Sequence, residues 1–294
     1  MPAGRSGLKV ANGTLGWTGH LRLDYRHDDG RTTALDRHHG PLRVLQRLYP
    51  EGPAICHHVL VHPPGGVVGG DVLALDATLA AGSHALITTP GATRFYRSAG
   101  GLAQQRVTAQ IGPGARLEWL PMEAIAYRRC RAENQLSFQL EAGAQMIGWD
   151  LLALGLPAAA ELFDAGQFQQ QLSLQAPGRT RWLERGRIDG QDRELLDGPL
   201  GLAGQSVLGT MWLADGQAIA REQCEALLDA ARALLQASPL AASAGVTALQ
   251  PGLLVLRVLA PRVEPAMQLL QAVWAAWRQR HWGLAPVPPR LWRT

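Results

Sequence analysis

The sequence predicts a mainly β protein with a stacked-strand body, β-helix-like or sandwich-like, and two α-helices in its C-terminal half. Three observations carry this reading. Apolar residues alternate with period two through the middle of the chain: Leu73, Leu75, Ala77 and Leu79 share one face of VLALDATLA (72–80), as a half-buried strand requires. Strand–turn–strand units then recur, as TLAAGSHALITT (78–89), TAQIGPGARLEWLP (108–121) and FQLEAGAQMIGWD (138–150). Their turn glycines, Gly82, Gly114 and Gly143, are spaced by 32 and 29 residues. A unit returning near that period suggests stacked β-coils, and three ordinary hairpins in a sandwich satisfy the same pattern. Third, two late segments change to helical spacing.

In chain order, RVTAQI (106–111) places Val107, Ala109 and Ile111 on one face, and QLSFQLE (135–141) does the same with Leu136, Phe138 and Leu140. Further strands are expected at 168–175, 180–188, 206–213 and 253–259. The first helix is expected at 218–236, where Leu227, Leu228, Ala231, Leu234 and Leu235 follow the 3.6-residue period and SPL (238–240) stops it. The second is expected at 265–281, with Met267, Leu270, Trp274, Trp277 and His281 three or four apart and Pro265 in the first turn. No linker or low-complexity tract divides the chain, so one domain over 1–294 is expected, with enough residues for a large core.

Composition excludes several classes. Apolar residues make up 47% and the net charge is +4, too mild to predict a nucleic-acid partner; Lys9 is the only lysine. Cys56, Cys130 and Cys224 are widely spaced and form no CxxC, so no zinc site of ordinary spacing is read. MPAGRSGLKV has no apolar core, and the apolar run 146–163 is broken by Asp150 and Glu161. No signal peptide and no membrane span are expected, and a reducing cytoplasm fits best.

The densest local signal is HPPGGVVGGD (62–71). Gly65 and Gly70 have P-loop spacing, but Asp71 and Val72 follow where lysine and a hydroxyl residue are needed. Prolines before the glycines and an alternating strand after them do not suit a dinucleotide fold. His57, His58 and His62 precede the loop; His58, His62 and Asp71 make a workable nickel or zinc set, or a surface pair with a turn histidine. The alternative for Asp71 is a side chain closing an Asx turn. No G-x-S-x-G is present, and Glu118 and Glu123 lack diagnostic spacing for paired-carboxylate chemistry.

HPPGGVVGGD, TTPGATRFYRSAG (88–100) and LEWLPMEAI (117–125) together resemble the urease accessory protein family UreD, also called UreH. GPL (40–42), YPEG (49–52), ELFDAG (161–166) and PRLWRT (289–294) extend the resemblance over about residues 14–294. Departures are VLQR at 44–47 and GLPA at 155–158, where Leu156 replaces an arginine. The resemblance implies a non-enzymatic assembly protein that binds apo-urease and UreF, and through UreF the GTPase UreG, and assists nickel insertion. It implies a mostly β fold with two helices and an internal nickel tunnel, with Ni²⁺ in transit and no tightly bound cofactor. The candidate partner-binding or nickel-path residues are then His62, Gly65, Gly66, Gly69, Gly70, Asp71, Arg94, Tyr96, Glu118 and Glu123. His62 and Asp71 would be transient metal contacts, and Glu118, alternating with the core residues Leu117 and Trp119, would face a channel or solvent. Phe95 would join Arg94 and Tyr96 in a partner contact. The alternative is a β-helical enzyme acting on a polymer, with Asp71 and Glu118 as acid and base in an open groove.

Overall fold

A computed structural model describes residues 9–11 and 14–293; most of the N-terminal stretch expected to lack a leader lies outside them. The chain opens with a small ribbon, β1 (Lys9–Ala11) and β2 (Thr14–Gly16). Two hairpins follow, β3 (Thr18–Asp28) with β4 (Arg31–His39), and β5 (Arg43–Leu48) with β6 (Ile55–Val61). The three expected units come next: β7 (Val72–Leu79) and β8 (His84–Thr88), β10 (Ala103–Ile111) and β11 (Arg116–Trp119), and β13 (Arg131–Leu140) and β14 (Gln145–Leu154). Short strands β9 (Thr93–Phe95) and β12 (Ala124–Ala126) lie in the corners between them. The chain ends with β15 (Gln167–Ala176), β16 (Arg179–Asp189), α1 (Arg193–Asp197), β17 (Val207–Asp215), α2 (Arg221–Gln236), β18 (Ala244–Gln250), β19 (Leu253–Ala260) and α3 (Val263–Trp282).

The units are coils and not hairpins. The first strand of each lies in a seven-stranded sheet of order β16-β15-β13-β10-β7-β3-β4, and the second lies in a ten-stranded sheet along β18-β19-β17-β14-β11-β8-β6-β5. Each turn carries the chain from one sheet to the other, and its glycine has positive φ, 71° at Gly82, 65° at Gly114 and 74° at Gly143, which only glycine adopts freely. Successive coils stack in parallel and in register, so like residues form rungs. Leu21, Leu75, Val107, Leu136 and Leu172 align on one sheet. Cys56, Ala85, Leu117 and Met146 align on the other. These rungs face each other and form one large core.

α2 and α3 cover the outer face of the ten-stranded sheet, burying Leu227, Leu228, Ala231, Met267, Leu270, Trp274 and Trp277. Trp277 Nε1 donates to Leu227 O at 3.0 Å and ties the helices together. The helices start at Arg221 and Val263, close to the expected bounds. Strands β3 to β6 and β18 were not expected. β4 and β5 are edge strands with mostly exposed residues, and β6 (ICHHVLV) is buried on both faces despite two histidines, so neither shows a clean alternation.

Candidate functional site

At one end of the coils, three corners stack on each other, the first rich in glycine and the next two carrying arginines. Val67 N donates to Arg94 O at 2.7 Å and Tyr96 N to Val67 O at 3.0 Å. Thr93 N donates to Glu123 O at 2.9 Å and Tyr127 N to Phe95 O at 3.0 Å. The three motifs that stood out in sequence are therefore consecutive rungs of one wall. The four glycines of HPPGGVVGGD divide their work. Gly65 and Gly70 have φ of 79° and 101°. Gly66 and Gly69 permit close approach: a Cβ would strike the Tyr96 ring at one and Ser98 Oγ at the other. Phe95 is 0% exposed and packs edge-on against Phe168, so its expected partner contact is corrected to a core position. Tyr96 is half-buried against Gly66 and Tyr127, with ring centroids 4.9 Å apart, and Arg94 is exposed. The large exposed aromatic of this end is Trp17, 55% exposed, which the sequence reading passed over.

Asp71 is 4% exposed, and both carboxylate oxygens are used. Oδ1 accepts from Trp17 N at 2.8 Å and Oδ2 from Val68 N at 3.0 Å. The carboxylate closes the turn and fastens it to the segment after β2. Asparagine can accept only one of these bonds. Asp71→Asn is thus expected to lower stability by about 1–3 kcal/mol, read as a lower denaturation midpoint at unchanged slope. His58 does not join His62 and Asp71: it is buried, its Nδ1 lies 2.6 Å from Tyr25 Oη, and burial lowers its pKa to about 4. Among the described residues no three His, Cys, Asp or Glu side chains converge as a metal set.

His62 is half-buried, and burial lowers its pKa. It stands at a cavity of about 260 Å³ bounded at the corners by Gly65, Gly66 and residues 89–94, and inside by Leu60, Leu73, Leu75, Val107 and Trp119. Gln105 also lines it and begins a polar seam between the sheets. Gln105, Asn134 and Gln170 are register neighbours on β10, β13 and β15. Gln105 Nε2 donates to Asn134 Oδ1 at 3.1 Å, and Asn134 Nδ2 donates to Asp150 Oδ2 at 3.1 Å from the facing sheet. Gln170 Nε2 also donates to Asp150 Oδ2. Beyond lies a second cavity of about 190 Å³, lined by Asp150, Gln170, Thr210 and Glu184. Glu184 pairs with Arg257 towards the surface. Burial raises the Asp150 pKa to about 6 in spite of the two amide donors. The sequence reading used Asp150 only as a break in an apolar run. A lone carboxylate at an inward position was the available signal, and Asn134 and Gln170 gave none until the rungs were aligned.

Glu118 lies on the opposite face of its strand from Leu117 and Trp119 but reaches neither channel nor solvent. It is 0% exposed beneath α3. Its oxygens accept from Trp274 Nε1 at 2.6 Å and Arg278 Nε at 3.2 Å, and lie 2.8 Å from His84 Nε2. Burial pushes the carboxyl up, but His84 and Arg278 bring it net below the usual range. Glu123 is half-buried beside a separate cavity between β12 and α3. Asp71 in a corner turn and Glu118 under a helix are each consumed by other bonds, which removes them as an acid–base pair.

A family model described as UreD urease accessory protein matches residues 18–293. The Leptothrix cholodnii protein named urease accessory protein UreD is 64% identical over 282 residues, covering 95% of this chain and 100% of that relative. Proteins of the same name from Paracidovorax citrulli and Variovorax paradoxus are each 55% identical, covering 94% and 95% of this chain and 99% and 100% of their own lengths. Among the described residues no helix is long and apolar enough to cross a membrane.

Proposed function

The chain belongs to the UreD family of urease accessory proteins, and from that premise we propose that it assists nickel insertion into apo-urease, passing Ni²⁺ along the seam between its sheets. It does so in the cytoplasm, joined to apo-urease and to UreF, which links it to the GTPase UreG. The lack of a P-loop is consistent with a partner carrying the nucleotide.

The observation that carries the reading is Asp150. A buried carboxylate that lines one cavity and is linked through Asn134 and Gln105 to the other, held by amide side chains and, among the described residues, by no cation, suits a passing divalent ion. Charge interactions strengthen as the local dielectric falls, and transit needs sites that release the ion as well as attract it. A single carboxylate held by neutral amide donors, without a closed set of ligands, is such a site. His62 at one cavity and Glu184 at the other mark the two ends of the path.

Glu184 offers a test that spares the fold, because its ion pair with Arg257 is at the surface, where such pairs contribute little. Glu184→Gln is expected to leave assembly with UreF and urease unchanged and to lower nickel per urease active site after co-expression. Unchanged nickel content would remove Glu184 from the path.

A further inference from the structure

A third cavity, of about 440 Å³, lies apart from the seam, on the outer side of the ten-stranded sheet. Met122, Ile125, Met267 and Trp292 give it apolar walls, and Glu123 and Glu264 face it from β12's edge and from the first turn of α3. Glu264 stands where the helix dipole favours a carboxylate. Glu123 has no such support: its Oε2 is buried with no hydrogen-bond partner among the described residues. Burial first, and then Glu264, hold the Glu123 pKa above the ordinary carboxylate range. Arg262, which lines the cavity, and Arg94, an electrostatic neighbour of Glu123, make no ion pair with either carboxylate among the described residues.

A buried oxygen without a donor is costly. Two carboxylates against one arginine on the lining of a largely apolar chamber match a ligand with an alkyl stem and a cationic head. Methionine side chains adapt to the stem, and a guanidinium or ammonium can donate to the carboxylates that line the chamber. We propose that this cavity receives an arginine or lysine side chain of a partner protein. The site stands on its own geometry; that a protein supplies the side chain rests on the assembly reading above.

The full chain, labelled at its methionine methyls, is titrated with n-butylguanidinium, with n-butanol and butyrate as neutral and anionic controls. The Met122 and Met267 signals are expected to move saturably with butylguanidinium alone. Glu123→Gln should weaken that binding about tenfold or more without lowering the melting temperature, since it removes an unpaired buried charge. Equal shifts with n-butanol, or none with butylguanidinium, would overturn the site. Competitive displacement of the probe by Ni²⁺ at lower concentration would overturn it in favour of a metal site. In the partner arm, the Glu123→Gln/Glu264→Gln chain should bind co-expressed UreF or apo-urease at least tenfold more weakly than wild type. Unchanged affinity would overturn the protein source. Failure of the wild-type chain to assemble at all would instead count against the assembly reading, leaving the probe titration to decide the site.

Discussion

Replacing Arg278 by alanine is expected to destabilise the fold by about 3–5 kcal/mol, the usual consequence of removing one member of a buried ion pair. Arg278 is wholly buried in α3. Its NH2 group reaches Glu51 Oε2 at 2.6 Å, its Nε reaches Glu118 Oε1 at 3.2 Å, and NH1 donates to Ala285 O. The guanidinium thus holds α3, two distant strand regions and the C-terminal segment in one arrangement, with Glu51 extending it to His57 at 2.8 Å. Alanine leaves two buried carboxylates without their shared cation. Arg278→Lys should recover only part of the loss, because one ammonium cannot reproduce the fork. The pH dependence follows from Glu118, whose pKa is lowered in the folded state. Its contribution is present above the unfolded glutamate value of about 4.3 and is lost as pH falls through the lower folded value. The wild-type and Arg278→Ala stability curves should therefore converge in acid. Denaturant unfolding checks this; a loss below about 1 kcal/mol near neutral pH would mean that the network is not what fastens α3.

The coils were legible because their cause is local. A turn glycine with positive φ, flanked by alternating strands, repeats at nearly constant spacing, and each unit shows this without reference to the others. The role of the corners was less legible. Glycines in HPPGGVVGGD look like an opening for a partner, yet Gly66 and Gly69 are there because Tyr96 and Ser98 of the next corner pack against them. Asp71 looks like a free charge because its second donor, Trp17 N, is 54 residues away. The network under α3 joins residues 51, 84, 118 and 278, whose sequence separations exceed any local pattern. The seam needed rung alignment: Gln105, Asn134 and Gln170 are ordinary amides until the parallel register places them side by side opposite Asp150.

Asp150→Asn should separate stability from function. The folded-state pKa of Asp150 is raised from 3.8 to about 6, chiefly by burial. A raised carboxyl contributes stability that is fully present below the unfolded value and is lost as pH rises through about 6. At neutral pH the wild type therefore carries an ionised, buried carboxylate at a cost, and asparagine does not. Both observed donors, Asn134 Nδ2 and Gln170 Nε2, point at the same oxygen, Oδ2, so the asparagine carbonyl can accept both. The new amide N–H₂ at the other position adds a penalty of its own, but one that does not vary with pH. The difference in unfolding free energy between variant and wild type isolates the carboxyl. It should move in favour of the variant by up to about 3 kcal/mol between about pH 4 and pH 7.5. A flat difference would mean that Asp150 titrates normally and is hydrated. Delivery should change the other way: if the charge draws Ni²⁺ between the cavities, the variant will assemble with its partners and yield urease with less nickel per active site. A stabilised variant that loads urease fully would leave the carboxylate with a structural cost and no role in passage, and the path would have to run elsewhere. The two measurements together distinguish a charge retained for transit from one that merely fills a polar gap between the sheets.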